Sequence, residues 1–353
     1  MILKILKKKL ILVIIFFFIS FLFCEVLLRF FFPQNINGFY QEQDNKSALW
    51  VLKSKFKYID YFNLKPYIYT TGEYRNRITN ENSRHNKKIL VLGDSFTFGE
   101  KLNDEDTYIH KLQNAFPNYY FINSAVPGWG LSNYAKFVEN YCIKYQPNKI
   151  LIFFNTDDIG RVTSSNQYFL KDKKLIKGSD EVYNAWYVKY QKNLLINYFL
   201  NNSHLFYFSL KTILNFSRIK NYNSNKKIIL YPSRQLDSIE KVNETIYLSK
   251  LIFLELKKNA ENCKAELFII YSGWINYKEI NQANDPTIKF LFEAENFFKK
   301  NNIKYFNNVN KPIIKDVHNN IQAYILHNDH HPNKLGADKI YQVTKKNLEK
   351  YLK

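Results

Sequence analysis

Four β-favouring apolar residues, Ile89-Leu90-Val91-Leu92, run without a break into Gly93-Asp94-Ser95-Phe96. Such a run makes a strand buried on both faces, and Gly-Asp-Ser does not prolong it. Ser95 is thereby delivered to the end of a core strand. In an open α/β sheet, ligands bind in the crevice beyond the carboxyl ends of the strands, so this position suits chemistry as well as helix capping. A lone Gly-Asp-Ser turn is more simply read as a cap, and the rest of the chain has to separate the two readings.

From Lys87 onward a strand and helix rhythm follows. The strand over 89–92 leads to a helix over 107–116 whose start is rich in acids, which suits the helix dipole. A second strand over 119–122 ends in the turn-rich loop Asn123-Ser124-Ala125-Val126-Pro127-Gly128-Trp129-Gly130, and a helix runs from there to about Tyr145. A third strand over 149–154 closes on Asn155-Thr156-Asp157-Asp158. After an interruption, the rhythm resumes with a helix over 241–262, a strand over 266–271, a helix over 288–300, a strand over 304–306 and a closing helix over 335–352. Strands joined by helices of this length imply a mainly parallel sheet of five strands with helices on both faces. Every strand-to-helix loop then opens on one edge, where Ser95, Gly128, Asp157 and the loop 327–333 can meet.

The interruption, residues 160–240, is an insertion rich in Tyr, Phe, Leu and Asn, with a dense apolar run over 194–216. It is too apolar for a disordered linker and too polar for a confident membrane span. Mostly helical packing is the simpler expectation. A lid over an apolar cleft, or a helix at a membrane surface, is the sharper alternative.

The first nine residues carry Lys4, Lys7, Lys8 and Lys9 and no acid, and Leu10 to Cys24 is apolar except for Ser20. Carried on to Phe32, this segment reaches about 34 Å as a helix, enough for a hydrocarbon core of roughly 30 Å. Glu25 and Arg29 share one helical face and can pair near the far interface. No small-x-small cleavage site follows, so residues 1–32 read as an uncleaved single-pass anchor, in preference to a signal peptide. The lysines stay in the cytoplasm and the remainder lies outside. Residues 33–86 read as a tether, 34–47, followed by a segment over 58–77 packed on the domain that fills 87–353. Three cysteines without metal-type spacing predict no disulfide framework, a single Cys142–Cys263 bridge remaining open outside the cytosol.

The net charge of +20 in 353 residues invites a nucleic-acid partner. The lysines are spread along the whole chain, with no Arg-rich helix, RNA-binding aromatic motif or zinc-finger spacing, so no nucleic acid is expected. Attraction to anionic membranes or acidic polymers suits the charge better.

A serine hydroxyl needs a neighbouring base, and that base needs a third group to hold its tautomer and charge. The stretch His327-Asn328-Asp329-His330-His331-Pro332-Asn333 offers both. Pro332 biases His331 toward extended backbone, where residues two apart point to the same side, so Asp329 and His331 project together and His330 faces away. His331 is the expected base and Asp329 its partner. A metal site built from His327, Asp329, His330 and His331 is the rival, but so short a stretch rarely closes a tetrahedron, and no metal or other cofactor is expected.

Gly93-Asp94-Ser95-Phe96 after a strand, Asn123 with Gly128 after the next, an Asn/Asp cluster after the third and Asp329-x-His331-Pro332-Asn333 near the end resemble the motif blocks of the SGNH (GDSL-type) hydrolases. The resemblance covers roughly residues 87–350, and Glu25 to Arg29 followed by Pro33 is similar to membrane-anchored bacterial members. It implies a flavodoxin-like three-layer fold and a triad of Ser95, His331 and Asp329. It also implies an oxyanion hole formed by the Ser95 and Gly128 backbone N–H groups and a side-chain amide. The third block departs from the family, reading Asp157-Asp158 where Asn-Asp is usual, so that either Asn155 or Asp157 serves the hole. A carboxylate there would repel a developing oxyanion. The expected activity is that of an ester hydrolase or O-acyltransferase acting at the cell envelope on an acylated carbohydrate or a lipid ester through acyl-Ser95. A non-catalytic binding or assembly protein is the alternative.

Overall fold

The computed structural model describes residues 2–36, 40–44, 47, 49–62, 64–79, 87–155, 157–163, 167–178, 193–219, 236, 238–273, 285–308, 324–326, 329 and 331–352. They fall into two compact units, one of Tyr40–Lys57, Ile68–Val182 and Ile228–Lys353, the other of Met1–Phe39, Tyr58–Tyr67 and Tyr183–Lys227.

Two short antiparallel pairs come first, β1 (Gln41–Gln43) with β2 (Trp50–Leu52) and β3 (Lys57–Phe62) with β4 (Lys65–Thr70). The stretch read as a tether therefore contains a strand. Gln41-Glu42-Gln43 is polar, but it pairs with Trp50, Val51 and Leu52, which are buried and recruit it.

The larger unit is built on β5 (Lys88–Leu92), β6 (Tyr120–Asn123), β7 (Lys149–Phe154), β10 (Glu266–Tyr271) and β11 (Lys304–Asn307). These form one sheet in the order β11-β10-β7-β5-β6, with every neighbouring pair parallel. Counted along the chain this is the flavodoxin-like order 2-1-3-4-5, so the sheet reverses direction between β5 and β7. The three central strands are apolar and buried on both faces, as strands sandwiched between helices must be.

Because parallel crossovers keep one hand, the reversal sends helices to opposite faces. On one side α3 (Tyr108–Ala115) packs against the closing helix α9 (Lys334–Leu348). On the other lie α4 (Leu131–Tyr145), α7 (Ile239–Asn262) and α8 (Pro286–Lys300). A disulfide joins Cys142 of α4 to Cys263 at the end of α7, their Cα atoms 6.0 Å apart. The expected three-layer α/β architecture is thus present.

The insertion is not mostly helical at its start. After a short turn of 3-10 helix (Gly160–Thr163), β6 and β7 of the sheet are followed by a separate hairpin, β8 (Tyr168–Lys171) with β9 (Lys174–Lys177), lying on α7. Its turn residues Asp172 and Lys173 both have positive φ, 51° and 60°, the two-residue geometry that matches strand twist. A lysine in that position carries no turn signal, so the hairpin is hidden in the sequence.

In the smaller unit, α1 (Ile2–Phe31) is long and apolar enough over Lys7–Phe31 to cross a membrane. Helices α5 (Leu194–Asn202) and α6 (His204–Ile219) pack on one another, and α6 packs on α1. The expected pair forms, Arg29 Nε donating to Glu25 at 2.8 Å. Glu25 also accepts from Ser203 Oγ at 2.8 Å and from the backbone N–H groups of His204 (3.0 Å) and Leu205 (2.8 Å). A carboxylate of the first helix therefore caps the positive end of α6. Arg29 closes the contact by donating to the Asn202 carbonyl at 2.9 Å.

Arg77 is the least expected core residue. Its fully buried guanidinium donates to the carbonyls of Phe98 (2.7 Å), Gly99 (2.5 Å) and Leu102 (2.5 Å) and to Asp104 (2.8 Å), and packs on the rings of Tyr69 and Phe98. Replacing it strands those acceptors in the interior. Arg77→Met is expected to cost about 3–5 kcal/mol of folding stability, read from denaturant unfolding of the detergent-solubilised full chain; a change within experimental scatter would contradict this role.

Candidate active site

The turn after β5 places Ser95 as the first residue of helix α2 (Ser95–Phe98), and Asp94 caps that helix by accepting from the Phe96 N–H at 2.9 Å. Gly93 has to be glycine: a Cβ there would lie 2.1 Å from Thr97 Oγ1 and 3.0 Å from the Phe153 carbonyl. That close approach lets α2 start hard against the sheet and leaves Ser95 buried, 7 % exposed, beyond the carboxyl end of β5, where the strand order reverses between β5 and β7.

The second half of the site comes from the far end of the chain. Ile325 bridges to Pro332, the Leu326 N–H donates to the His331 carbonyl at 3.0 Å, and Asn333 caps α9 by accepting from Gly336 at 3.0 Å. Within this closed loop the Asp329 carboxylate accepts from the His331 backbone N–H at 2.9 Å and is hydrogen-bonded to His331 Nδ1. The two residues meet as expected, but through an Asx turn in place of alternation along an extended strand. His331 Nε2 then lies 2.7 Å from Ser95 Oγ. Ser95, His331 and Asp329 thus form one continuous chain of hydrogen bonds.

Two further charged residues flank that chain. Glu100 Oε2 is 3.3 Å from His331 Nε2, and Lys101 Nζ is paired with Asp329 Oδ2. Both follow Gly99, which ends α2 in the left-handed conformation, and Arg77 grips the Gly99 and Leu102 carbonyls on either side of them. Burial alone would push the Asp329 pKa up, but its hydrogen bonds with His331 and Lys101 and the charge of His331 bring it below the usual carboxylate range. Burial alone would lower the His331 pKa, and the Asp329 hydrogen bond with the charges of Glu100 and Asp329 outweighs it and raises the value. The charged form is thus better stabilised here than on a free histidine.

The third loop is organised by Arg161. Its Nη1 donates to the Trp129 carbonyl at 2.7 Å and lies 3.5 Å from Asp158 and 3.7 Å from Asp94, while Nη2 donates to Asp157 at 3.1 Å. Asp158 also accepts from Tyr134 Oη and from the Asn155 backbone N–H, both at 2.8 Å. One guanidinium thus ties together the loops after β5, β6 and β7. Burial, then the neighbouring Asp94 charge, raises the Asp158 pKa well above normal. Burial likewise raises that of Asp94, against the pull of Arg161. Burial works against charge on Arg161, and the carboxylates of Asp158, Asp94 and Asp157 more than restore it.

Of the residues expected for an oxyanion hole, Asp157 has its carboxylate turned to Arg161, Asn155 is buried at the end of β7, and Gly128 is exposed with φ of 86°. Glu100, Lys101 and Arg161 have no counterpart in the sequence expectations. Charged residues after a helix read as solvated surface, and nothing local announces that Arg161 faces three acids. His327 and His330 lie outside the described residues, and among the described residues no cluster of three or more His, Cys, Asp or Glu side chains could hold a metal.

No family model matches the sequence, and no curated relative does. Solved structures give fold-level likenesses. The psychrotrophic esterase EstA from Pseudoalteromonas sp. is 12 % identical, with 76 % of this chain and 99 % of that one covered and a TM-score of 0.41. A member of the lipolytic protein G-D-S-L family from Veillonella parvula is 12 % identical over 74 % and 97 % at 0.41, and the acetylxylan esterase Axe2 from Geobacillus stearothermophilus 12 % over 75 % and 94 % at 0.41. At these scores the likeness decides nothing about chemistry, which rests on the residues described above.

Removing Arg161 leaves three acids without their cation. Arg161→Met is expected to raise the folded-state pKa values of Asp94 and Asp158 further. Groups whose pKa is higher folded than unfolded stabilise at low pH and lose that contribution as pH rises. The deficit in melting temperature against the unaltered chain should therefore be small at acidic pH and grow above the ordinary carboxylate range. A deficit independent of pH would count against the ion cluster.

Proposed function

We propose that this chain is a serine ester hydrolase or O-acyltransferase of the cell envelope, working through an acyl-Ser95 intermediate. The observation that carries the reading is the 2.7 Å approach of Ser95 Oγ to His331 Nε2, with Asp329 on the other ring nitrogen. In the proposed reaction His331 takes the Ser95 proton as Oγ attacks the acyl carbonyl. The imidazolium then rests between the carboxylates of Asp329 and Glu100. Nε2 returns the proton to the departing alkoxide, the alcohol leaves, and the acyl group stays on Ser95. Water then reverses these steps on the new ester in hydrolysis, and a sugar hydroxyl does so in transfer.

The tetrahedral oxyanion is read as accepting from the backbone N–H groups of Ser95 and Gly128 and from the Asn155 side-chain amide. Asn155 is preferred to Asp157 because the Asp157 carboxylate is engaged by Arg161, and because a carboxylate would repel the charge that forms. The N-terminal helix is read as a single-pass anchor with its lysines in the cytoplasm and the remainder outside. The Cys142–Cys263 disulfide supports an oxidising compartment. The proposed substrate is an O-acetylated carbohydrate or a lipid ester, and the net charge of +20 suits acidic surfaces. The altered third block keeps a second reading in view, a binding or assembly module that retains the fold without the chemistry.

A serine-directed fluorophosphonate probe separates the two. Labelling is expected of the unaltered chain, lost in Ser95→Ala and His331→Ala, and slowed on the order of 10^4-fold in Asp329→Asn; a folded chain that takes no label supports the binding module. Because His331 must be neutral to act as base and its pKa is raised, the labelling rate should fall as pH drops through that raised value. Glu100→Gln removes a charge beside Nε2 and is expected to move this acid limb to lower pH, and an unmoved limb would remove Glu100 from the site.

A further inference from the structure

Helix α5 is apolar on its packed side, where Leu200 is buried, and apolar again on the side turned outward. On a helix packed against a protein in water, the outward residues are polar and the inward ones apolar. Here Leu194, Leu195, Tyr198 and Phe199 lie on one face and are 87, 69, 62 and 37 % exposed. Asn197 and Asn201 are half-buried, and Asn201 Nδ2 donates to Asn197 Oδ1 at 3.1 Å. Phe208 and Ile213 of α6 are exposed as well, at 42 and 65 %.

The hairpin is also held at a definite depth. Glu25 caps α6, and Arg29 binds the last turn of α5. From Lys7 to Glu25 a helix rises about 27 Å, close to the roughly 30 Å hydrocarbon thickness of a bilayer. If α1 spans, with its lysines in one headgroup layer, Glu25 and Arg29 arrive at the opposite one and bring the start of α6 with them.

We infer that the α5–α6 hairpin is seated in the interfacial layer of the bilayer that α1 crosses, with lipid acyl chains covering Leu194, Leu195, Tyr198 and Phe199. This rests on the reading of α1 as a membrane span. An interface helix has an apolar face in the acyl region and aromatic rings at headgroup level, and Tyr198 supplies such a ring. A second copy of the chain is a poorer occupant. A nine-residue helix is about 13 Å long and 10 Å wide, far short of the roughly 800 Å² per partner that a stable interface buries. Lipid needs no such area, because the anchor already supplies the attachment.

The test uses the full-length chain, with Cys24→Ser, reconstituted in vesicles of phosphatidylcholine and phosphatidylglycerol. An environment-sensitive fluorophore is placed at Leu195→Cys or, separately, at Phe17→Cys; both side chains are exposed, so neither label disturbs a packed core. Both labels are expected to emit at shorter wavelength than in water. The Leu195 label should be quenched several-fold more by nitroxide lipids labelled near the headgroup than by aqueous iodide, and the Phe17 label by nitroxides deeper in the acyl chain. Iodide quenching at Leu195 with lipid quenching at Phe17 would overturn the seated hairpin and leave the anchor standing, as would shielding of Leu195 from both quenchers, the sign of a protein partner. Loss of lipid quenching at Phe17 would instead overturn the membrane span itself.

Discussion

The buried guanidinium of Arg77 is the contact on which the edge bearing Ser95 depends. A planar cation with five donors can satisfy several carbonyls at once, and here it draws the chain leaving α2 into a tight coil around itself. Between Phe98 and Asp104 the chain has no regular ladder, so the Phe98 and Leu102 carbonyls take their hydrogen bonds from that cation, and the Gly99 carbonyl from it and from the Leu102 N–H. The consequence reaches the site, because Glu100 and Lys101 lie on this coil and point to His331 and Asp329. The surroundings of His331 and Asp329 are thus placed in part by a residue that touches neither.

Arg161 does for the other loops what Arg77 does for the first. The loops after β5, β6 and β7 belong to separate crossovers and would be free to shift past one another. One guanidinium with partners on all three fixes their relative positions. The cost is a pair of buried acids, tolerable because each carboxylate also has neutral donors: Phe96 for Asp94, Tyr134 and Asn155 for Asp158. Such clusters break by leaving charge behind, so their members cannot be exchanged singly.

How much of this could be read beforehand depended on whether a residue's partners are near it in sequence. The five strands were legible because each is a local apolar run ended by turn residues; observed and expected bounds for 149–154 and 266–271 coincide, and the others differ by about one residue. Ser95, Asp329 and His331 were legible from residue types that only make sense together, though the Asx turn that joins the last two was not. Arg77 and Arg161 were invisible, since a buried arginine looks like a surface one until the carbonyls and acids it binds are brought in from elsewhere. The strand at Gln41–Gln43 was missed because its pairing partner supplies all the apolar burial, and the β8–β9 hairpin because neither Asp172 nor Lys173 is glycine or asparagine.

The Cys142–Cys263 crosslink has a consequence for how the chain tolerates damage. It closes a covalent ring across 121 residues that holds the whole inserted segment, with its exits on two helices of one layer. A protease that nicked the insertion would open that ring without releasing either piece. The halves of the sheet on either side of the cut would stay in one molecule, and Ser95 and His331, which lie outside the ring on opposite flanks, would remain joined until a reductant reached the sulfur bridge.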